Sequence, residues 1–498
     1  MGIIARQGSK SSLLHVGGVF VAAISTLYIY PKFTEVYGFS QFLLTSALLL
    51  FPFMGLGSSG ALIKFFPKFR TEDNANHGLL LYALTPFLFI FLFSGIIFGV
   101  WGEPIIGYLK QEWPSSYTHL YDYYLIILIL AATLVIVYNL YYYISNYGRI
   151  VVPNLFVQFG YKVFLPLLII ATAQNYSLQS IGVLIICFYV MVIASLLLYM
   201  KKLGIFNLTL PDRRFITRSI GKEVRKYSLF SSLNHLGSLI VFRIDGFMIS
   251  IILGFTANGI YSIMLFISGI IDIPAKSINT ISSPLISQHW KNNELEKINT
   301  IYQKSATTIT IASVAIVIMI WFGIDFVASI SADPEKFFIG KTALVFLMVC
   351  RLIDGITSIN DQIIVFSDKY KYNLVFIVFL GVINIVLNLV FISSWGLTGA
   401  AFATCVSILF YNVIKLVFIY WQFKMIPFSK NLLFVLILGA CAFSTLYLLT
   451  AYLNSFYLFV IAGLVIVCIY IPLIFVCKIS EEFNKLILTY LKLFRPSS

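Results

Sequence analysis

The sequence predicts an all-α polytopic membrane protein with about 14 transmembrane helices, and three observations support this fold class. Of the 498 residues, 60% are hydrophobic and only 11% are charged, which is too little polar surface to cover a soluble domain. Apolar runs of about 20 residues, enough to cross a bilayer, recur from end to end. Basic residues are concentrated in alternate connecting segments, as in chains that cross a membrane repeatedly.

The apolar runs give the order of the predicted helices. They are centred near residues 13–31, 39–60, 79–101, 122–145, 153–173, 180–200, 229–252, 257–281, 304–330, 340–366, 373–393, 397–421, 431–452 and 456–477. The first run lacks the small-residue cleavage pattern of a signal peptide, so we expect it to remain as the first helix.

The distribution of basic residues predicts the orientation. With the N-terminus in the cytoplasm, cytoplasmic segments hold 25 of the 34 Lys and Arg residues, outer loops hold four, and five lie within spans. This asymmetry follows the positive-inside rule and places both termini in the cytoplasm. The net charge of +14 is therefore mostly a topology signal, and no nucleic-acid partner is needed to explain it.

An internal repeat divides the chain. Residues 34–43 (TEVYGFSQFL) and 256–265 (TANGIYSIML) share Thr, an aromatic residue, Ser and Leu at equivalent positions, which favours two parallel six-helix repeats. The predicted organisation is an N-terminal lobe at 1–200, a basic cytoplasmic linker at 201–228, a C-terminal lobe at 229–425, and two extra helices with an amphipathic, membrane-surface tail at 426–498. We expect the linker to lie on anionic lipid headgroups.

Charged residues of both signs fall inside predicted spans: Arg243 and Asp245, Arg351 and Asp354, and Lys162. Each such charge costs several kcal/mol unless it is paired or faces water. A chain that keeps them is expected to have a polar path through its middle, which indicates transport of a charged or polar substrate.

Helical spacing separates the two arginines. Asp354 follows Arg351 by three residues and Asp361 follows it by ten, so all three share a face and a structural ion pair is the competing interpretation. Asp245 follows Arg243 by two residues and points away from it. A substrate or coupling role is therefore favoured most for Arg243.

Other polar residues within spans have ordinary structural interpretations. Asp272 and Lys276, spaced i,i+4, suit a plain ion pair, and Lys415 suits snorkelling from an inner span end. His235 suits either a polar packing role or proton coupling.

Two further groups could contact sugars. Asn384 and Asn388, one helical turn apart, could reach sugar hydroxyls or bond across helices. The aromatic cluster at 138–147 (YNLYYYISNY) could stack on sugars, but interfacial anchoring is the favoured interpretation.

No catalytic or cofactor motif is found. The sequence lacks GxxxxGK[ST], GxSxG, HExxH and DxD sets, and the six Cys show no CxxC spacing, so we expect no enzyme activity, cofactor or metal. Energy for transport would then come from an ion gradient or from the substrate gradient.

Three segments resemble a known family. NIVLNLVFISSWGLTGAAFATCVSILFYN (384–412), IYPKFTEVYGFSQFL…FMGLGSSGALIKFFP near the N-terminus and RIDGFMIS…GIYSIMLFISG resemble the polysaccharide (O-antigen) flippases of the multidrug/oligosaccharidyl-lipid/polysaccharide exporter superfamily. The resemblance implies two lobes around a cavity that opens alternately to each side of the bacterial cytoplasmic membrane. It also implies an undecaprenyl-diphosphate-linked glycan as substrate, with a polysaccharide polymerase and glycosyltransferases as partners.

Such a substrate assigns roles to the residues within the spans. Arginine suits diphosphate because its planar fork donates two hydrogen bonds at once, so Arg243 and Arg351 are the first candidates and Lys162 the third. Asn384 and Asn388 are candidates for the sugars. Candidates for coupling or gating share ionisable side chains at membrane depth; they are Asp245, Asp354, Asp361, Asp272, Lys276 and His235.

Three other functions remain open at this stage. They are a multidrug or amphiphile exporter, a flippase for lipid-linked peptidoglycan precursors, and, from a different class, a membrane glycan polymerase. The last normally needs a large outer loop with catalytic residues, whereas the longest predicted outer loop, 102–121, has only about 20 residues and no such set.

Cysteine labelling tests the predicted orientation. In a variant without the native cysteines, Arg214→Cys should be protected from impermeant thiol reagents in intact cells, because 201–228 is predicted to be cytoplasmic. Lys336→Cys, in a predicted outer loop, is the matched control and should be labelled. Labelling at position 214 from outside would reverse the orientation.

Overall fold

The computed structural model describes residues 3–112, 123–172, 177–212, 214–357 and 359–484. Within these ranges the chain is almost entirely helical and contains no strand, which confirms the predicted fold class. The predicted tail helix lies outside the described residues beyond Asn484. The predicted outer loop 102–121 is wrong over 102–112, which belong to a helix that ends at Glu112, and its remaining residues lie outside the described ranges.

Fifteen helices account for the described part of the chain. They are α1 Ile3–Tyr28, α2 Thr34–Gly55, α3 Ser58–Phe69, α4 Leu79–Glu112, α5 Tyr124–Ser145, α6 Val151–Thr172, α7 Leu178–Lys202, α8 Arg218–Leu253, α9 Phe255–Lys291, α10 Leu295–Ser329, α11 Pro334–Thr357, α12 Asn360–Phe366, α13 Lys371–Phe423, α14 Lys430–Leu449 and α15 Ser455–Val476.

The helices provide enough apolar length for the predicted number of crossings. Eleven described helices are long and apolar enough to span a membrane, or twelve when α11 and α12, bent by 47°, count as one span. Helix α13 contains two passes. Helix α8 has 36 residues, which span roughly 54 Å, although its charged residues lower its mean hydropathy. With these two additions the described residues offer fourteen crossings.

Helix α13 is a tight helical hairpin. Asn384 Nδ2 donates to Thr404 Oγ1 over 3.2 Å although the two residues are 20 positions apart, so the chain must reverse between them. The reversal occurs at Gly396, whose φ of 57° and ψ of −133° suit glycine alone. A Cβ at Gly399 would lie 1.9 Å from the carbonyl oxygen of Phe391, so a second glycine lets the two arms pack backbone to backbone.

The chain forms two compact units, Met1–Ser262 and Ile263–Ser498. The core of the first unit is built around α2, α5 and α7 and includes Phe39, Leu130 and Ile185. In the second unit, α14 and α15 pack on α10 through Val435, Ala462 and Ile318. Residues 229–262 pack with the first unit, whereas the sequence repeat assigns them to the C-terminal lobe. The lobe boundaries therefore stay a prediction.

The segment before α8 is attached to the first unit. His77 Nδ1 lies 3.0 Å from Asp212 Oδ2, and its ring stacks on Phe215 with centroids 3.7 Å apart. The hydrogen bond to His77 lowers the pKa of Asp212, which keeps this carboxylate charged. The predicted linker is thus held against the 70–78 turn.

Helix α2 and the start of α9 cross at glycines. A Cβ at Gly38 would lie 1.8 Å from the carbonyl oxygen of Phe255, and one at Gly259 would lie 2.1 Å from that of Thr34. Asn258, fully buried, donates from Nδ2 to the carbonyl oxygen of Gly38 over 2.9 Å. Small residues allow such close packing, which replaces the missing hydrophobic driving force inside a membrane.

Substitution of Gly38 tests this crossing. Gly38→Ala should lower the stability of the purified protein in detergent by about 1–3 kcal/mol, because the added methyl forces the helices apart. Gly95→Ala is the matched control, since nothing lies within 4 Å of its Cβ position, and it should be neutral or slightly stabilising. Equal thermal denaturation midpoints for both variants would contradict the crossing.

Candidate binding cavity and polar network

A helix break shapes the candidate site in the first unit. Pro52 interrupts the hydrogen bonding of α2, and its own carbonyl oxygen accepts from Ser232 Oγ on α8 over 2.6 Å. Leu56 and Gly57 then adopt left-handed backbone conformations with φ of 42° and 71°. A Cβ at Gly57 would lie 2.0 Å from the carbonyl oxygen of Ser228, so glycine lets α8 approach the break closely.

A cavity of about 410 Å³ lies beside this break, within the usual size range of small-molecule sites. Helices α2, α3, α5 and α8 contribute its walls. The lining residues are Leu48, Phe51, Pro52, Gly57, Ser59, Gly60, Ile63, Tyr138, Tyr142, Ser231, Ser232, His235, Leu239 and Arg243. They include no Asp or Glu.

Arg243 is the permanent positive charge of this cavity. Its side chain is exposed, and among the described residues no carboxylate lies within 4.0 Å of it. Asp245, two positions on, is only 6% exposed and accepts a hydrogen bond from Tyr261 over 3.0 Å. Arg243 therefore faces the cavity with its charge uncompensated by the described protein groups.

The other candidate residues of the first unit lie differently. His235 lines the cavity of Arg243, with its ring centroid 5.6 Å from that of Phe51. Lys162 lies on α6 against Gly18 of α1, where a Cβ would be 3.4 Å from the lysine Nζ. It lines a separate small cavity together with His15 and Asn154. Of the predicted residues of the first unit, His235 lines the cavity of Arg243, whereas Lys162 lines the separate one.

In the second unit, Arg351 forms an ion pair with an aspartate on another helix. Its Nη1 lies 3.0 Å from Oδ2 of Asp272, 79 residues earlier, and both side chains are mostly buried. Lys276, the predicted partner of Asp272, is exposed. The pair joins α11 to α9 and favours a structural role for Arg351 over substrate binding.

Asp354 belongs to a chain of hydrogen bonds between α10, α11, α12 and α13. Asn412 Nδ2 donates to Asp354 Oδ1 over 3.2 Å, and Asn412 Oδ1 accepts from Thr357 over 2.9 Å. The amide of Asn360 also donates to Asn412 Oδ1 over 3.4 Å and itself accepts from Tyr302. Asp354 itself is exposed, whereas the other four residues are buried. Buried polar groups that bond to each other in this way fix the arrangement of the helices.

The expectation that Lys415 snorkels is wrong. Its side chain is 1% exposed, its Nζ lies 2.6 Å from Asp361 Oδ1, and it lies 3.8 Å from the ring centroid of Tyr411. The Tyr411 hydroxyl donates to the same carboxylate over 3.2 Å. Burial of an ammonium group requires such compensation, and a carboxylate 54 positions away supplies it.

Asn384 and Asn388 bond within the α13 hairpin. Asn388 Nδ2 donates to Asn384 Oδ1 over 2.7 Å, Asn384 donates to Thr404, and both amides are at most 1% exposed. Asn384 therefore bonds across the two arms of the hairpin, and Asn388 bonds to Asn384 within one arm. A role of these amides in sugar binding stays a prediction.

Sequence reasoning did not single out Asn412, and it assigned Lys415, Tyr138 and Tyr142 to other roles. Asn412 lies on the second arm of α13, and its partners Asp354, Thr357 and Asn360 belong to other helices, so the available signal was only an amide within an apolar span. For Lys415, the signal was a second charge, Asp361, at the same end of a neighbouring span.

No metal centre is evident in the part of the chain that the structure describes, since no three His, Cys, Asp or Glu side chains group there. The six cysteines are free thiols.

Solved structures share this fold. The lipid II flippase MurJ in an inward closed conformation matches with a TM-score of 0.66 at 15% identity, over 97% of this chain and 99% of that chain. An inward-facing multidrug resistance MATE family transporter of the MOP superfamily matches with a TM-score of 0.61 at 15% identity, over 85% and 95%. A mutant of the Vibrio cholerae MATE transporter VcmN matches with a TM-score of 0.54 at 12% identity, over 87% and 100%.

No family model matches the sequence, and no curated protein matches it either. The fold is that of the MATE transporters and MurJ. The narrower resemblance to polysaccharide flippases stays a prediction.

A mutant cycle tests whether the Arg351–Asp272 pair is structural. Arg351→Leu and Asp272→Leu should each lower the free energy of unfolding by about 3–5 kcal/mol, because each leaves a charge without its partner. The double variant should recover most of that loss and reach wild-type levels in the membrane.

The exposed pair of Lys68 with Glu223, 3.3 Å apart, is the control for this cycle, and its removal should cost at most about 1 kcal/mol. A double variant at positions 351 and 272 that reaches the membrane at normal level but does not transport would instead assign Arg351 to the substrate.

Proposed function

We propose that this protein is a flippase that moves undecaprenyl-diphosphate-linked oligosaccharide repeat units from the inner to the outer leaflet of the bacterial cytoplasmic membrane, for surface polysaccharide synthesis. The observation that carries the proposal is the cavity of Arg243, where the guanidinium faces open volume and no carboxylate among the described residues pairs with it. Alternating access would expose this cavity to one side of the membrane at a time.

The chemistry of the cavity suits a diphosphate. A guanidinium donates two parallel hydrogen bonds to phosphate oxygens. The first turn of α3, which includes Ser59 and Gly60, lines the same cavity, and the N–H groups of a first turn have no acceptors within their own helix. A broken helix whose N-terminus faces an anion is a recurrent arrangement in membrane transporters.

The positive charge weighs against export of cationic drugs. A cation would enter a cavity that already holds Arg243 and whose described lining includes no Asp or Glu, and it would be repelled at short range. Export of cationic amphiphiles is thus the weaker alternative, although the MATE transporters share the fold.

Flipping of a peptidoglycan precursor is the second candidate. The fold likeness to the lipid II flippase extends over 97% of this chain, against 85% for the inward-facing MATE transporter, so α14 and α15 are included in it. The candidates share a diphosphate site and differ in the sugars attached. The lipid that accumulates when the protein is removed distinguishes the two functions. Only loss of a polysaccharide flippase would leave lipid-linked repeat units on the inner leaflet.

Coupling and topology complete the proposal. Asp354 and Asp361 of the second unit, together with Asp272 and Lys276 near them and Asp245 and His235 of the first unit, are the proposed coupling or gating groups. Both termini lie in the cytoplasm, and a polysaccharide polymerase and glycosyltransferases are the proposed partners.

Arg243 gives the direct test. Arg243→Ala should abolish export and cause complete lipid-linked repeat units to accumulate on the inner leaflet, because the diphosphate loses its charged ligand. Arg243→Lys should keep part of the activity, since it retains the charge but not the fork. The purified Ala variant should also bind undecaprenyl diphosphate about 10- to 100-fold more weakly, as expected for a lost charged hydrogen bond.

Arg225→Ala is the matched control, because Arg225 lies on the same helix, is exposed and does not line the cavity. It should export and bind normally. Normal export by an Arg243→Ala protein present at wild-type level would refute the proposed function of the cavity.

A further inference from the structure

Five tyrosines lie on the C-terminal part of α5 and its following turn, and their hydroxyls fall into two groups. Three are bonded to other side chains: Tyr141 donates to Asn154 Oδ1 over 2.8 Å, and Tyr143 and Tyr147 accept from Asn76 Nδ2 over 2.7 and 2.6 Å. These three hydroxyls connect α5 to neighbouring elements of the first unit.

Tyr138 and Tyr142 form the other group. Both line the cavity of Arg243, and among the described residues neither hydroxyl has a hydrogen-bond partner. Both side chains are half-buried, so water or a ligand in the cavity is the remaining partner for their hydroxyls. The sequence favoured interfacial anchoring for this cluster, whereas these two side chains line a site.

The two rings form one aromatic surface. Their centroids are 6.4 Å apart with an interplanar angle of 28°, and Tyr138 is braced edge-on by Phe51 at 5.5 Å. The 6.4 Å between the two tyrosine rings is comparable with the spacing of adjacent sugar rings in an oligosaccharide. Tyr138 and Arg243 line the same cavity, and Tyr142 follows Tyr138 by one helical turn.

We propose that Tyr138 and Tyr142 form a sugar platform that holds the first rings of the glycan next to the diphosphate. This inference rests on the proposed function. The apolar C–H faces of the sugars pack on the tyrosine rings, and the phenol hydroxyls, which both donate and accept, bond sugar hydroxyls. Arg243, Tyr138 and Tyr142 follow the order diphosphate, first sugar, second sugar.

The chemistry of the platform favours sugar over the polyprenyl tail. A tail needs only apolar contacts, and an unpartnered hydroxyl held against it would lose its hydrogen bonds to water. Ser59 and Ser231 add hydroxyl groups to the same cavity. Apolar walls with a few converging polar groups, which fix the orientation of the ligand, are typical of small-molecule sites.

Binding of two lipids that differ only in their sugar tests the proposal. The probes are undecaprenyl diphosphate and undecaprenyl diphosphate that carries two N-acetylhexosamine residues, measured on purified protein in detergent. Tyr138→Phe and Tyr142→Phe keep the rings and should weaken binding of the sugar-bearing lipid by about 3- to 10-fold each, the effect of one lost hydrogen bond. Binding of bare undecaprenyl diphosphate should not change.

Further variants make the outcomes separable. Tyr142→Ala removes the ring as well and should exceed the effect of Tyr142→Phe, again for the sugar-bearing lipid only. Tyr141→Phe, whose hydroxyl bonds Asn154, is the matched control and should leave both affinities unchanged. Thermal denaturation midpoints would show that each variant is folded.

Three results are decisive. Loss of affinity confined to the sugar-bearing lipid supports the platform. Unchanged affinities in both Phe variants, with both lipids weakened by Arg243→Ala, would overturn the platform and leave the diphosphate site intact. Failure of the wild-type protein to bind either lipid would overturn the proposed function and the platform with it.

Discussion

The free-energy cost of a charge at membrane depth explains most of the polar architecture of this protein. The two units differ in whether such charges are compensated by other side chains. Among the described residues of the second unit, two buried cations each have a carboxylate: Arg351 has Asp272, and Lys415 has Asp361. In the first unit Arg243 has none among the described residues and faces open volume. A compensated charge stabilises a helix contact, whereas an uncompensated charge beside a cavity remains available to a ligand.

Close helix contacts depend on glycine because apolar side chains gain little by packing together in lipid. Gly38 and Gly259 let α2 and α9 meet backbone to backbone, and Gly57 does the same for α8 at the broken end of α2. The last contact fixes the walls of the cavity, since Ser232 caps the Pro52 carbonyl oxygen from α8. The polar site therefore depends on packing between backbones that leaves no room for even one methyl group.

The helix content and approximate span positions could be predicted from the sequence, because apolar length and loop charge are local properties. The partner of Arg351 could not be predicted. Asp354 has the sequence spacing of a helical ion pair, but the fold brings Asp272 to Arg351 instead. The same limit explains Lys415, whose burial depends on α12 rather than on its distance from a span end. Residue type alone could not divide the tyrosines of α5 either, because the same side chain bonds α6 at position 141 and lines the cavity at position 142.

Charge and shape contribute to selectivity at different levels in the proposed site. A diphosphate bound by Arg243 distinguishes anionic lipids from cationic amphiphiles, but every diphosphate-linked glycan shares that group. Discrimination among glycans must then come from the walls, and the platform of Tyr138 and Tyr142 reaches only the first rings. Each sugar contact there is worth about one ordinary hydrogen bond or less, so the site would distinguish glycans by their first sugars and tolerate variation further along the chain. A flippase of this kind is selective for the linkage region of its substrate and permissive for the remainder.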